Sequence, residues 1–476
     1  MNLDLESVRA ASGLTSREAD MLCALLRVWH EKLSRNRIRT AYYEGKNRLK
    51  NLGIAIPEEF EGVETVVGWP AKAVDALQAR SIFDGYVYNG DEVPELERMV
   101  ADNGLMLAYE QATQSELINS CVFSTVGRGG EGEPDVVVNF HSAEAGAAIW
   151  DFRRKRVSWG LVIADIGSDE RTGRPFVSEA HLHGPDSVTV IKSRDGSRWY
   201  ARRADNPLGV PLMDAMPYRP SLKRPFGKSR ISRAVMSITD RAVRTCLRAE
   251  LGSEFYTSPQ KYMLGASEDD LDKPRWEAYI GYLMMAGKDE DGDVPKFGQL
   301  PQATMQPHTD YMRDLAAQFS GEASIPMSCL GVVHDNPASA DAIYAANEGL
   351  VIEAQALNRV NGAALARIAR SALCVARGRA LADLAEEERA VKAHFKNPAM
   401  PSMVSQADAM VKMVSVAPWV AETEFFLEEM GVDDATRRRL MSEKRKIEAK
   451  AMLMQQMAQP KELPPGGGEA SDGDAS

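Results

Sequence analysis

The chain has 476 residues, of which 44% are hydrophobic and 26% are charged, a composition typical of globular proteins. At roughly 100–200 residues per domain, this length predicts two to four folding units. The net charge of −11 argues against a protein that grips DNA over its whole surface, because phosphate contacts from Lys and Arg dominate such binding.

Cysteine usage and hydropathy indicate a soluble protein that is made and used without export. The five cysteines are scattered and include no CxxC pair, which argues against a disulfide framework or a structural zinc site. No apolar run approaches the roughly 20 residues that span a bilayer, and residues 1–6 lack the features of a signal peptide. We therefore expect no membrane partner.

The N-terminal part is predicted to change from helices to strands. Apolar residues at helical spacing predict helices over residues 5–50, 64–82, 94–104 and 105–118. Short β-type runs then predict a small, mainly β unit, with strands at 122–126, 136–140, 157–163, 187–191 and 199–200. Five prolines between Pro207 and Pro225 predict a boundary without regular structure.

A long helix over residues 229–256 follows, and its entrance and polar side are basic. Arg230, Arg233 and Arg241 belong to this basic set, which has few acidic neighbours in the sequence. Two interpretations stay open: a solvated face with ion pairs to a neighbouring subunit, or a positive surface facing nucleic acid. No aromatic residues interleave with these cations, so base stacking on single strands is not expected. Residues 257–306 are a turn-rich insert.

Residues 307–377 form the most informative stretch, a helix, a break and a second helix. The first helix ends near Gly321, and the break contains Pro326, Gly331 and Pro337. The chain restarts at Ser339, a suitable N-cap, with Asp341 in the first turn where the helix dipole favours a negative charge. A loop held between two helices suits a part that works by shape.

The C-terminal part is predicted to be helical and then disordered. Helices are expected at about 403–417, 422–430 and 433–458, and nine of the 22 methionines lie between Met400 and Met457. Methionine is a flexible side chain that suits adaptable helix contacts or a plain helical core. Residues 460–476, with three consecutive glycines, have the composition of a disordered tail.

Motifs that would carry chemistry are incomplete. Gly227-Lys228-Ser229 resembles the end of a phosphate-binding loop, but Leu222 stands where the first glycine is required. The acidic turn at residues 289–293 lacks the glycine and the glutamate of a calcium loop at their required positions. We therefore expect no catalytic residues, no metal, no cofactor and no enzymatic activity.

The order of these parts resembles one family, the portal proteins of tailed bacteriophages, in particular those of siphophages of actinobacteria. The resemblance is carried by five stretches at residues 42–46, 66–75, 224–231, 325–331 and 336–341. These stretches are Tyr-Tyr-Glu-Gly-Lys, Val-Val-Gly-Trp-Pro-Ala-Lys-Ala-Val-Asp, Arg-Pro-Phe-Gly-Lys-Ser-Arg-Ile, Ile-Pro with Leu-Gly, and Asn-Pro-Ala-Ser-Ala-Asp. Their order and spacing, over nearly the whole chain except the tail, carry the similarity.

The resemblance implies an α+β, mainly helical portal fold that assembles as a ring, typically a dodecamer. Its parts would be a wing at 1–220 (β-rich at 120–204), stem helix 1 at 221–256, a clip at 257–306, stem helix 2 at 307–321, a tunnel loop region at 322–342, a long helix returning to the wing at 343–398, a helical crown at 399–459 and a disordered tail at 460–476. The tunnel loop would place Val333, His334, Asp335 and Asn336 in a DNA channel, and Arg230, Arg233 and Arg241 would be candidates for basic channel-facing stem residues.

The implied function is a channel at one capsid vertex through which double-stranded DNA is packaged and ejected. The implied partners are other copies of the chain, the terminase large subunit, a head–tail adaptor, and the major capsid and scaffolding proteins. The protein would lie in the virion, and in the host cytoplasm during assembly. The presumed loop has no Lys or Arg, which suits weak contact with sliding DNA. The alternatives are another structural head protein, such as a capsid or scaffold component, and a packaging enzyme.

Overall fold

The computed structural model describes residues 5–49, 65–88, 94–168, 173–196, 198–257, 261–264, 296–299, 304–332, 340–399, 403–432 and 434–458. The chain divides into two compact units, Met1–Pro398 and Ala399–Ser476. The described helices are α1 Leu5–Arg9, α2 Ser16–Tyr43, α3 Trp69–Gln78, α4 Pro94–Asp102, α5 Leu105–Asn119, α6 Arg233–Thr257, α7 Gln306–Ala323, α8 Ala340–Arg377, α9 Glu386–Arg389, α10 Met403–Val416, α11 Glu424–Glu429 and α12 Asp434–Ala458.

The described strands lie mainly in the middle of the larger unit. They are β1 Phe83–Val87, β2 Cys121–Arg128, β3 Val136–Ser142, β4 Gly146–Asp151, β5 Arg156–Ser168, β6 Pro175–His183, β7 Ser187–Ser193, β8 Trp199–Asp205, β9 Met213–Pro217, β10 Lys261–Leu264, β11 Lys296–Gln299 and β12 Lys392–Phe395. The predicted mixed class of helix and sheet is confirmed.

The N-terminal helix predicted over residues 5–50 is two helices, α1 and α2. Gly13 separates them with φ of +92°, where an added Cβ would lie 2.5 Å from the carbonyl oxygen of Ala201. Thr15 then caps α2, because its hydroxyl accepts from the Glu18 amide and the Glu18 carboxylate accepts from the Thr15 amide. The cap starts the second helix.

Helix α2 packs its apolar face on a five-stranded antiparallel sheet. The strand order is β4-β5-β6-β7-β8, and Leu22, Leu26 and Trp29 of α2 share a core with Leu161 and Leu182 of the sheet. The sequence runs had indicated only part of this sheet. Strands β4 and β6 were not predicted, because β4 contains Gly, Ala and Asp and β6 contains Pro, Glu and Ala, residue types that are depleted in strands.

A second sheet has the order β3-β2-β9, and it corrects the predicted irregular boundary at 207–225. Strand β9 lies inside that proline-rich segment and pairs antiparallel with β2. The sheet accommodates Pro217 because β9 is an edge strand, where proline is tolerated.

The long helix ends at Arg377, just before Gly378, where the sequence pattern ended it and short of residue 398, the bound of the part that the resemblance implied. The chain then turns and forms β12, which pairs antiparallel with β1. The C-terminal half of α8 packs Leu365 and Ile368 into a core with Val122 of β2, whereas its N-terminal half packs Leu350 against the helices of a second core. Helix α8 therefore joins the two main cores of the larger unit.

The smaller unit holds α10, α11 and α12, close to the three helices predicted for residues 403–458. Ion pairs connect its elements: Arg437 lies 3.1 Å from Glu428, and Lys444 lies 3.6 Å from Glu422. Most of the predicted clip, residues 257–306, lies outside the described residues, apart from the paired strands β10 and β11 and the segment from 304 onward. The predicted tail at 460–476 lies outside them as well.

Candidate functional site

Helices α6 and α7 lie side by side in opposite directions, and we call them the helical pair. The Ser232 hydroxyl, at the entrance of α6, donates to Glu322 near the end of α7 at 2.9 Å. Farther along α6, the sulfur of Cys246 lies 4.0 Å from that of Met312, near the start of α7. These two contacts fix the antiparallel register.

The interior of the helical pair is apolar and closely packed. Val235 and Ile238 of α6 share a core with Leu315 and Phe319 of α7, and Leu315 and Phe319 have no exposed surface. Phe319 also packs on Trp69 at the start of α3, with the ring centroids 5.5 Å apart. The end of the helical pair that contains Ser232 and Glu322 therefore packs against the rest of the larger unit.

The basic side chains of α6 cluster on one sector of the helix. At 100° per residue, Arg233, Arg241, Arg244 and Arg248 fall within about 80° of one another around the axis. Arg233 and Arg248 are exposed, whereas Arg241 is partly covered and donates to Gln318 of α7 at 3.0 Å. The sector is thus a positive stripe, of which the Arg241 part is already engaged by the neighbouring helix.

Arg230 differs from Arg233 and Arg241, because it is buried and does not face solvent. Its guanidinium Nε donates to the carbonyl of Ala73 at 2.5 Å and Nη2 donates to that of Ala323 at 2.6 Å. Nη1 donates to the hydroxyl of Tyr218 at 2.9 Å and forms an ion pair with Glu353 at 2.8 Å. In the described protomer Arg230 does not face a free surface as the prediction required, because each of its three guanidinium nitrogens contacts the core.

Glu353 of α8 is the acidic centre of this network, which we call the buried anchor (Arg230, Glu353, Tyr218 and Arg219). The Tyr218 hydroxyl donates to Glu353, and Arg219 lies 3.1 Å from the same carboxylate. Burial, with the neighbouring Glu353 among its further causes, raises the pKa of Tyr218 to about 12, so its hydroxyl stays a proton donor. The anchor connects α3, α7, α8 and the segment before α6.

The segment before α6 is held by backbone contacts that exclude the phosphate-binding loop. Gly227 has φ of +69°, and an added Cβ would lie 2.1 Å from the carbonyl oxygen of Tyr218. The amide of Lys228 donates to that same oxygen at 2.9 Å, and the amide of Arg230 donates to Leu117 at 2.9 Å. These N–H groups are occupied inside the protein. The same contacts delay the helix predicted from residue 229, so that α6 begins at Arg233.

The predicted tunnel loop residues Val333, His334, Asp335 and Asn336 lie outside the described residues. The structure describes the chain up to Val332 and again from Ala340. Val332 borders a cavity of about 550 Å³ that is also lined by Trp69, Met312 and Leu330. The chain segment that leads into the predicted loop therefore lies beside the residues on which the helical pair packs.

The buried anchor was not predicted from the sequence, although one signal for it was present. Glu353 lies between Leu350 and Ala354 on the apolar stripe of α8, and both neighbours are buried. A carboxylate on a buried stripe needs a cationic or hydrogen-bonding partner. That Arg230 is this partner could not be predicted from the neighbouring sequence, because the two residues are far apart in the chain.

The fold and the site define a mixed helix-and-sheet protein that presents an antiparallel helical pair with a basic stripe. Among the described residues, no helix is both long and apolar enough to cross a membrane. No protein-family profile matches the chain.

Two curated relatives identify the kind of protein that the chain resembles. It is 23% identical over 425 residues to the portal protein of Mycobacterium phage D29, covering 84% of this chain and 83% of that protein. It is 24% identical over 409 residues to the portal protein of Mycobacterium phage L5, covering 82% and 81%. The predicted resemblance to portal proteins of phages of actinobacteria is confirmed.

A solved structure titled "Virion of native gene transfer agent (GTA) particle" is also similar. It is 12% identical to this chain with a TM-score of 0.42, and the match covers 77% of this chain and 90% of that one.

Proposed function

We propose that this chain is a portal protein, which forms the ring-shaped channel for packaging and ejecting double-stranded DNA at one capsid vertex. The observation that carries the proposal is the similarity to two portal proteins over more than four-fifths of this chain. The role is structural and not enzymatic, and its place is in the virion, with assembly in the host cytoplasm.

The described elements support an assignment of parts. The helical pair is the stem, the two strands β10 and β11 belong to the clip, the sheets with α1–α5 form the wing, and the smaller unit forms the crown. The segment between Val332 and Ala340 is then the tunnel loop. The buried anchor joins the base of the stem to α8, the helix that follows the tunnel loop.

The channel chemistry follows from the exposure of the stem side chains. Arg233 and Arg248 remain free to face DNA or an acidic neighbour, whereas Arg230 does not. Few channel-facing cations suit a conduit, because each phosphate neutralised by Lys or Arg strengthens binding and would slow sliding. The partners proposed are further copies of the chain in a ring, typically a dodecamer, the terminase large subunit, the head–tail adaptor, and the major capsid and scaffolding proteins.

A genetic packaging experiment tests the proposal. Host cells infected with a phage that lacks this gene should assemble heads without DNA, and expression of the intact chain from a plasmid should restore filled heads. Heads that fill normally without the chain would contradict the proposal. The alternative of a packaging enzyme is tested separately by ATP turnover of the purified chain, for which we expect no hydrolysis above a blank preparation.

A further inference from the structure

The larger unit contains a basic cleft whose lining includes no residue of the helical pair. It is a cavity of about 430 Å³ where the turn between β4 and β5 meets β9 and the C-terminal half of α8. Five cationic side chains and one carboxylate line it: Arg154, Lys155, Arg156, Arg367, Arg370 and Asp214.

Two rigid elements carry these cations to the same cavity. In the β4–β5 turn, the Asp151 carboxylate accepts the amides of Arg153 and Arg154 at 2.9 Å each, which fixes the turn. On α8, Arg367 and Arg370 are three residues apart and so share one face of the helix. Cations that are far apart in the sequence therefore line the same cavity. A run of consecutive charged residues on the surface would not produce this arrangement.

The cleft has more positive than negative charge. Arg367 is paired with Asp214, and Arg154 reaches only Asp151, at 4.0 Å. Within the described part of the chain, no ion pair engages Lys155, Arg156 or Arg370. Burial lowers the pKa of Arg156 and of Arg370, and the next cause in each case is a neighbouring arginine. The crowded cations therefore gain from an anion placed between them.

The remaining wall of the cleft is apolar and includes Val126, Val157, Leu212 and Ile368. A cavity of about 430 Å³ lies in the size range of small-molecule sites, which combine apolar walls with a few convergent polar groups. Guanidinium groups match phosphate oxygens in a two-pronged geometry, and several unpaired cations suit an anion of more than one charge.

We propose that this cleft binds a phosphate-bearing ligand of nucleotide size, with Arg156 and Arg370 on the phosphates and the apolar wall against the body of the ligand. The ligand is either a free nucleotide or the terminal nucleotide of a nucleic-acid strand, since both present the same chemistry. The site is independent of the portal role and could fail without affecting it.

Isothermal titration calorimetry of the full chain at constant ionic strength tests the site. We expect saturable binding of ADP and of pyrophosphate, and none of adenosine, which lacks phosphate. The double variant Arg156→Gln/Arg370→Gln should weaken ADP binding about tenfold or more, because charge-assisted hydrogen bonds are lost. The variant Asp214→Asn should tighten it severalfold, since it releases Arg367, and misfolding cannot produce a gain of affinity.

A charge-matched control and a nucleic-acid arm complete the experiment. The double variant Arg27→Gln/Arg198→Gln removes two exposed arginines outside the cleft and should bind ADP as the natural chain does. A short single strand with a 5′-phosphate that competes with ADP would identify a strand terminus as the source, and failure to compete would identify the free nucleotide. Equal ADP affinity in the cleft variants and the control, or no saturable binding of either ADP or pyrophosphate, would overturn the proposal.

Discussion

Arg230 and Glu353 form an ion pair in the interior of the larger unit, with 3% and 5% of their side chains exposed. Taking two charges out of water is costly, and such a pair contributes little net stability compared with apolar side chains. Removing one partner of the pair is strongly destabilising, because the remaining buried charge has no water to solvate it. The pair therefore serves to specify geometry, because it is a buried charged contact that joins α8 to the segment before α6.

We expect Arg230→Met to lower the free energy of unfolding by about 3–5 kcal/mol, since Glu353 keeps its burial and loses its main partner. The double variant Arg230→Met/Glu353→Met should recover much of that loss. Arg233→Met, at an exposed position three residues on, should change stability by about 0.5 kcal/mol or less. Urea denaturation of the three variants measures these differences, and a double variant no more stable than Arg230→Met would contradict the account.

His183 and His141 predict a loss of stability in acid. Burial first, and neighbouring histidines next, lower the pKa of His183 to about 3, and burial lowers that of His141 to about 4. In the unfolded chain both titrate near their usual value of about 6.5. Below that pH these histidines bind protons in the unfolded chain but not in the folded chain, so stability falls as the pH falls from about 6.5 towards 3.

The variant His183→Phe should make this fall less steep, as measured by thermal unfolding between pH 7 and pH 4.5. His30→Phe is the control, because His30 lies in solvent on α2 and its removal should leave the slope in place. An unchanged slope in His183→Phe would show that the buried imidazole does not govern acid stability.

The helical pair shows what the sequence could and could not predict at the scale of elements. The apolar stripes of α6, α7 and α8 are local, so their existence was predictable to within a few residues. The start of α6 was not, since Gly227 to Ser232 are held by Tyr218, Leu117 and Ile118, contacts that only the folded chain provides. Strand β9 was missed for the same reason: proline content indicated a break, whereas pairing with β2 decided the outcome.

Phe319 tests the packing of the pair. Its side chain is fully buried between α6 and Trp69, so Phe319→Ala should cost about 3–5 kcal/mol of folding free energy through the cavity it leaves. Tyr311→Ala, on the exposed side of the same helix at 41% exposure, should cost far less. Comparable losses in the two variants, measured by chemical denaturation, would mean that the α6–α7 contact is not the core described.

Deleting Val333 to Asn336 tests the predicted tunnel loop. The deletion lies between the described elements and removes no residue of the buried anchor, so the chain should fold and form rings. We expect impaired packaging or retention of DNA, measured as the fraction of filled heads after complementation. A deletion of equal length in the C-terminal tail, residues 470–473, is the control. Normal packaging by the loop deletion would remove these four residues from the channel.

At the scale of the whole molecule, the function that we propose requires assembly of several copies of the chain. The smaller unit exposes large apolar side chains, including Val411, Trp419 and Ile447 at 67%, 70% and 69%. The net charge of −11 and the few free cations of the stem suit a surface that DNA passes without being held. The sequence could predict the class of protein from the order of its parts, but not which side chains line a channel, because the proposed ring would be formed between chains.

Electron microscopy of the purified chain tests the central claim most directly. We predict closed rings of about a dozen subunits with a central hole wide enough for duplex DNA. Shells, filaments or a uniform population of single chains under assembly conditions would contradict the portal assignment.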